Sequence, residues 1–298
     1  MNIQDSRCRR RRRGLTVLEL LVSISIVVVL AALTLPALSA VRESARRIQC
    51  VEHLRRVGLA LHQHHSATNR LPTGWAFDPS RRSAFGWCVP LLPHLEQNAL
   101  AERVNHRLPL EHPSNGLARQ TILEVMRCPS DIAQPFFQLF EEQDEKVTLG
   151  AGGAAESRDG NGAAALYDLP VANYVGVFGT LDPDISVPAP LGDGAFLENR
   201  CTRFGDFQRG LSQTLVVGER TMAQVPSTWL GVSLIGEDAA ARLVGAALQG
   251  INNPLADECD FSSRHPGGAN FLWADGHVSF VTAQIDLSVY HQSARLRR

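Results

Sequence analysis

The C-terminal region carries a serine, a histidine and an aspartate at short spacing. Ser263 and His265 are two residues apart, and Asp275-Gly276 follows after nine intervening residues. These residue types can form a hydrolytic triad, in which the histidine activates the serine hydroxyl. The sequence shows no oxyanion hole, however, and Asp-Gly between two apolar runs is typical of a type I′ hairpin turn. We interpret Asp275 and Gly276 as that turn and His265 as a residue that holds the preceding loop by hydrogen bonds.

Six cysteines, at positions 8, 50, 88, 128, 201 and 259, offer a second kind of chemistry. The absence of any Cys-x-x-Cys pair argues against a zinc ribbon or a thioredoxin-like site. In an oxidising compartment they would form disulfides, and four cysteines allow three connectivities. We favour Cys50 with Cys128, which would tie a long helix to the globular body, and Cys201 with Cys259.

Metal and cofactor chemistry has weak support in the sequence. His62 and His65 share one helix face and could hold a metal, but no acidic partner lies nearby, and solvated histidines are the alternative. Lys146, the only lysine, is followed by valine, which excludes a P-loop and leaves little basis for Schiff-base chemistry. We therefore predict no metal site, no cofactor and no catalytic residues.

The charge is unevenly distributed along the chain, although the net charge is only −1. Residues 1–14 hold six arginines and one acid, a charge of +5, whereas the remainder holds 23 basic and 29 acidic side chains. The near-neutral total argues against nucleic-acid binding through bulk charge. A basic head on an acidic body indicates that the two parts work in different places.

An apolar run of 21 residues, from Leu15 to Leu35, follows the arginines and contains one charge, Glu19. As a helix it would be roughly 31 Å long, about one hydrocarbon core. It is too long for an ordinary secretory signal peptide, although Ala37-Leu38-Ser39 is a tolerable cleavage site. A plain transmembrane anchor explains the length but leaves the glutamate unexplained.

The same segment resembles the type IV prepilin signal, which accounts for both features. In that family a membrane peptidase cuts after the glycine, here Gly14, and methylates the new N-terminal residue, here Leu15. Glu19 falls at the family's fifth mature position, and Pro36 falls where pilins often carry proline; leucine in place of the usual phenylalanine at the first mature position is a mild departure. The resemblance implies that Glu19 guides assembly by meeting the Leu15 α-amine of a neighbouring subunit.

The elements that position these residues can be predicted from local patterns. Apolar residues at helical spacing, among them Val41, Ile48, Leu54, Gly58 and Leu61, predict one helix from about residue 15 to 67. We divide the chain into a leader (1–14), a transmembrane helix (15–35), a stalk-helix continuation (36–68) and an α+β domain (69–298). Residues 141–165 read as an insertion, 173–180 and 214–219 as strands, and the region around Asp275 as a hairpin.

The chain as a whole resembles a bacterial family of prepilin-like proteins, domain of unknown function 1559. The hallmark of that family is a C-terminal H-X9-DG element, matched here by His265, Asp275 and Gly276. Further pieces match in the family's order: Ala45 to Cys50, Leu59 to His62, Leu91 to Gln97, Cys128 to Asp131, Asn173 to Gly176 and Thr214 to Glu219.

We therefore expect a pilin-like α+β fold, with a long N-terminal helix packed on a mainly antiparallel sheet. The expected function is that of a pseudopilin-like subunit of a type II secretion or type IV pilus-like system, structural rather than catalytic. It would cross the inner membrane once, with a cytoplasmic N-terminus and a periplasmic body. Its partners would be prepilin peptidase and other pilin-like subunits. The alternative is an anchored periplasmic binding protein or enzyme with a pilin-type export leader, which the large body favours.

Overall fold

A computed structural model describes residues 16–132, 134–142, 163–186, 188–223 and 225–297. The predicted cleavage residues Gly14 and Leu15, and most of the predicted insertion at 141–165, lie outside these ranges. The chain divides into two compact units, residues 1–45 and 46–298.

Helix α1 runs Val17–Thr68, so the long N-terminal helix predicted from the apolar spacing is present. It ends where Asn69 adopts a left-handed backbone conformation, with φ of 56°. The other α-helices of the described residues are short: α2 (Asn98–Ala101), α3 (Gly116–Arg119) and α4 (Leu287–Ala294). Single 3₁₀ turns lie at Val89–Leu95, Pro113–Asn115, Glu124–Met126, Phe204–Asp206 and Leu211–Gln213.

Short strands make up most of the regular structure after α1. The strands of the described residues are β1 (Trp75–Phe77), β2 (Ser83–Gly86), β3 (Phe136–Phe140), β4 (Ala165–Ala172), β5 (Tyr174–Gly179), β6 (Leu215–Glu219), β7 (Ser227–Thr228), β8 (Gly231–Ser233), β9 (Val244–Ala246), β10 (Gly268–Trp273) and β11 (Val278–Thr282). The strands predicted at 173–180 and 214–219 are confirmed as β5 and β6.

The strands form three sheets, with orders β1-β2-β8, β11-β10-β6-β5-β9 and β3-β4-β7. Their pairings are antiparallel except for β5 with β9, which is parallel. The central five-stranded sheet brings β6 beside β10, and this neighbour relation places the buried polar residues described below.

The C-terminal part of α1 packs on this sheet through a buried stripe formed by Cys50, Leu54, Val57 and Leu61. Gly58 permits a close approach, since a β-carbon there would lie 2.8 Å from Leu272 of β10. The predicted stripe is thus right at 54, 58 and 61 but wrong at Val41 and Ile48, which are exposed. A helix packed on antiparallel sheets is the α+β arrangement predicted from the sequence.

The N-terminal unit exposes its apolar side chains in the free chain. From Val17 to Leu30, the large apolar side chains are between 51% and 77% exposed. In the part of the chain that the structure describes, no helix has the length and apolar content needed to span a membrane. The transmembrane helix predicted over 15–35 therefore stays a prediction.

Candidate functional site

Glu19 lies in the first turn of α1, where it forms a reciprocal cap with Thr16. The Thr16 backbone N–H and hydroxyl both donate to the Glu19 carboxylate, each at 2.9 Å. The Glu19 N–H in turn donates to the Thr16 hydroxyl oxygen at 3.3 Å. This is a capping box, which satisfies donors that the first helical turn leaves unpaired. In the free chain the glutamate therefore has a local partner.

A second site, the buried cluster, consists of Cys50, Cys128, Glu219 and His265. Cys50 comes from α1, Cys128 from the turn after the 3₁₀ helix Glu124–Met126, Glu219 from the end of β6, and His265 from the loop before β10. Each side chain is buried, and one donor atom from each lies within 4.8 Å of the other three. Residues far apart in sequence thus converge on one point inside the body.

The imidazole of His265 is central to the buried cluster. Its Nε2 atom lies 3.2 Å from Cys50 Sγ, 3.6 Å from Cys128 Sγ and 3.5 Å from Glu219 Oε1. The two sulfur atoms are 2.9 Å apart. Two sulfurs, an imidazole nitrogen and a carboxylate oxygen are all ligand types that zinc accepts.

The hydrogen bond between the two thiols of the buried cluster shifts their pKa values in opposite directions. Their mutual hydrogen bond, together with burial, raises the pKa of Cys50. The same hydrogen bond, together with one from His265, lowers the pKa of Cys128 below that of a free thiol, although burial opposes this. Cys128 is therefore the sulfur that more readily becomes a thiolate, the form that binds metals.

Asn270 orients the carboxylate of Glu219. Its backbone N–H donates to Oε2 at 2.8 Å, and its side-chain amide donates to Oε1 at 2.9 Å. The pairing of Phe271 with Gly218 in β10 and β6 brings the two residues side by side. Hydrogen bonds of this kind fix the direction of a metal-binding carboxylate.

A neighbouring network fixes Cys128. The Cys128 N–H donates to Asn173 Oδ1 at 2.9 Å, and the Asn173 amide donates to Asp131 Oδ2 at 2.6 Å. Asp131 also pairs with Arg264, with 2.9 Å between Oδ1 and Nε. Because Arg264 precedes His265, this network joins the cysteine turn to the histidine loop.

The predicted disulfides are not formed among these cysteines, which are free thiols. The structure does bring Cys50 and Cys128 together. Cys201 is exposed, whereas Cys259 is buried and donates to Asp182 Oδ1 at 3.3 Å. The pairing of Cys201 with Cys259 stays a prediction.

The hairpin of the H-X9-DG element is present, with a different turn from the predicted one. β10 and β11 pair up to Leu272 and Val278, and Gly276 has φ of 92°. Asp275 does not have positive φ, so the type I′ prediction is wrong. Between Leu272 and Val278, the Gly276 N–H donates to the Trp273 carbonyl at 2.9 Å, which closes an ordinary four-residue turn that ends at the glycine.

The triad residues do not converge on one another. Asp275 is exposed and accepts from His277, with 2.6 Å between Oδ1 and Nδ1. The Ser263 hydroxyl accepts from the backbone N–H of His265 at 3.2 Å. The His265 ring instead faces the buried cluster, so the interpretation of His265 as only a loop-holding residue missed its main contacts.

His62 and His65 each contact other groups. His62 Nε2 donates to the Ala274 carbonyl at 3.0 Å, in the loop of the β10–β11 hairpin. The His65 ring stacks on Phe204, with centroids 3.9 Å apart. The histidine that the structure places beside two cysteines and a carboxylate is His265, which was not predicted from the sequence to be a metal ligand. Glu219 could have been singled out from the sequence, because it is an acid at the end of the otherwise apolar strand 215–219.

Comparison with known families first defines the class. A model described as the prokaryotic N-terminal methylation motif matches residues 9–35, so the chain has the N-terminus of a prepilin-like substrate of prepilin peptidase. A second model, described as "Protein of unknown function (DUF1559)", matches residues 39–288. The chain belongs to this family. Neither a curated protein nor a solved structure matches the chain.

Proposed function

We propose that this chain is a membrane-anchored, pseudopilin-like subunit of a type II secretion or type IV pilus-like system. Prepilin peptidase would cleave after Gly14 and methylate Leu15, and the periplasmic body would serve assembly rather than catalysis. The observation that carries the proposal is the methylation motif at residues 9–35, with Glu19 at the start of a long helix.

The exposed apolar surface of the N-terminal unit supports this role. Side chains such as Leu18 and Val27, 73% and 64% exposed, leave apolar area in contact with water in the free chain. Burying such area contributes about 25 cal/mol per Å². A bilayer before assembly, and neighbouring subunits after it, would both cover this surface.

The capping box explains how the Glu19 carboxylate is stabilised before assembly. With its carboxylate held by Thr16, the glutamate is hydrogen-bonded before any neighbour arrives. Cleavage after Gly14 would create a positive α-amine on Leu15. A neighbouring subunit's amine then offers the carboxylate an opposite charge, which a low dielectric makes strongly favourable.

The experiment compares the full-length chain with Glu19→Val and Glu19→Gln, each co-produced with prepilin peptidase. Glutamine can keep the capping-box acceptor but has no charge, whereas valine loses both. We expect both variants to lose cross-linked multimers while their mature N-terminus remains methylated Leu15 by mass spectrometry.

Two outcomes would contradict the proposal, and a third would contradict only the charge pair between subunits. Wild-type-like cross-linking in both variants would favour the anchored binding protein or enzyme. A mature N-terminus near Val41 would mean that an ordinary signal peptide had been removed. Loss of multimers in Glu19→Val alone would show that the cap, not the charge pair, is what assembly requires.

A further inference from the structure

We propose that Cys50, Cys128, Glu219 and His265 form a structural zinc site within the C-terminal unit. The four residues supply two sulfurs, one nitrogen and one oxygen, and all four are buried. This site lies outside the processing segment and does not depend on the proposed function.

The distances between donor atoms fit tetrahedral zinc. Bonds of about 2.3 Å to sulfur and about 2.0–2.1 Å to nitrogen or oxygen place sulfur and nitrogen roughly 3.6 Å apart, and nitrogen and oxygen roughly 3.4 Å apart. The Nε2 atom of His265 lies 3.2 and 3.6 Å from the sulfurs and 3.5 Å from Glu219 Oε1. The two sulfurs, at 2.9 Å, must separate to reach about 3.8 Å.

A cation would also accept lone pairs from all four side chains at once. The four donor atoms lie within 4.8 Å of one another, and a single proton can bridge only one pair of them at a time. Glu219 receives neutral donors from Asn270, and the ion pair that the structure gives it is with His265. A buried carboxylate is costly unless hydrogen bonds or a positive charge compensate it, and a bound cation would add that charge.

Full burial assigns the site a structural role. Catalytic zinc keeps one position open for water or substrate, whereas structural zinc takes four protein ligands. Here the protein supplies four ligands, from α1, the 3₁₀ turn, β6 and the loop before β10. A bound ion would therefore tie the helix to the sheet and to both loops.

A Cys50–Cys128 disulfide is the competing state. Its sulfurs would lie about 2.05 Å apart, and the bond would leave Glu219 and His265 as a buried pair without the thiols. The observed 2.9 Å separation is longer than this bond. The two states differ in metal content and in free thiols, so one preparation distinguishes them.

The test uses the full-length chain, purified in mild detergent with zinc present and excess metal then removed. We expect one zinc per chain by elemental mass spectrometry. Cys50→Ser, Cys128→Ser and His265→Ala should each lower the zinc content roughly tenfold or more. Cys88→Ala is the matched control, since Cys88 is also a buried thiol but lies outside the cluster, and it should keep its zinc.

A second measurement, on the wild-type chain, tests the proposal even if the variants fail to fold. Cobalt(II) titrated into the reduced wild-type chain should give thiolate-to-cobalt absorption that zinc then abolishes. A wild-type chain that takes up neither metal, with Cys50 and Cys128 joined in a non-reduced peptide, would overturn the proposal in favour of the disulfide. Zinc retained in all three cluster variants would overturn it as well.

Discussion

Glu219 and Arg220 are neighbours in sequence and both are 1% exposed, yet their surroundings differ sharply. The Arg220 guanidinium donates to one hydroxyl and three backbone carbonyls, those of Ser227, Ala241, Val244 and Glu258. Glu219 is held by Asn270 and faces a histidine and two thiols. The fold therefore gives the buried cation acceptors of its own, whereas the ionisable partner that the described residues give the buried anion is His265, which is charged only when protonated.

Strand geometry explains why the two charges do not neutralise each other. Successive side chains of a strand point to opposite faces of the sheet, so Glu219 at the end of β6 and the next residue diverge. Burial lowers the pKa of Arg220 to about 10, which still leaves it charged at neutral pH. The Arg220 pocket is therefore complete in the folded chain, whereas the Glu219 pocket is completed by a proton or a metal.

The largest loss of stability should come from replacing Arg220, whose pocket is complete. Arg220→Met removes the guanidinium hydrogen bonds to Ser227 and to the three carbonyls, so each of these buried acceptors loses a donor. We expect the folded chain to lose at least about 3 kcal/mol, since each unpaired buried group costs roughly 1–3 kcal/mol. Denaturant unfolding of the full-length chain, followed by circular dichroism, measures the loss.

Arg55→Met is the control for that change. Arg55 is exposed and pairs with Glu52 at 3.9 Å, an interaction worth under about 1 kcal/mol. If Arg220→Met were as mild as Arg55→Met, the Arg220 pocket would not be the complete one, and the contrast with Glu219 would fail.

A smaller effect, which depends on zinc, should come from Glu219→Gln. Without metal, the substitution removes a buried negative charge but also one of the two oxygens that accept from Asn270, so the reduced chain should lose about 1 kcal/mol or less. With zinc, it also removes a ligand and should destabilise the chain by about 1–2 kcal/mol more. Thermal unfolding with chelator and with zinc gives the two values.

The dependence on zinc is what distinguishes the incomplete pocket. Equal destabilisation by Glu219→Gln with chelator and with zinc would show that the carboxylate is not a metal ligand, and would remove the metal from the comparison.

Asn270→Ala removes the side-chain donor to Oε1 of Glu219 but keeps the backbone N–H that donates to Oε2. Because the carboxylate is then only partly oriented, zinc affinity should fall about tenfold.

Local patterns were enough to predict the elements that carry these residues. Helical spacing predicts α1, and short apolar runs predict β5 and β6, because each pattern is contained in one segment. The buried cluster could not be predicted in this way. Cys50 and His265 are 215 positions apart, and only the packing of α1 on the sheet brings them together.

The hairpin shows the same limit at shorter range. Asp275-Gly276 correctly predicted a reversal of direction, but the turn type depends on which residues pair across it. Leu272 pairs with Val278, so the loop is longer than two residues and Asp275 keeps negative φ. Likewise, Val41 and Ile48 continue the apolar spacing of α1 in the sequence, but both are exposed. The sheet contacts the helix through Cys50, Leu54 and Leu61 instead.

Asp184 is a second, milder case of a carboxylate in an unfavourable environment, beside other acids. Burial, with the nearby acids Asp238, Asp182 and Glu142, raises the pKa of Asp184 to about 6, although a hydrogen bond from the Ala240 N–H opposes the shift. The folded chain therefore holds this proton more tightly than the unfolded chain, in which an aspartate titrates near pH 3.9.

The smallest predicted effect follows from the sign of that shift. Below pH 4 both states keep the proton and Asp184 costs nothing; between pH 4 and 6 the unfolded state loses it first, so stability falls, and above pH 6 the cost is complete. Because Asp184 is half-buried, we expect Asp184→Asn to stabilise the chain by only about 1 kcal/mol at pH 7, and by nothing at pH 3.5.

The control is Asp168→Asn, on the exposed side of β4, which should change the stability at neither pH. An Asp184→Asn gain that is equal at both pH values would come from packing or hydrogen bonding, and would separate Asp184 from the electrostatic contrast between Glu219 and Arg220.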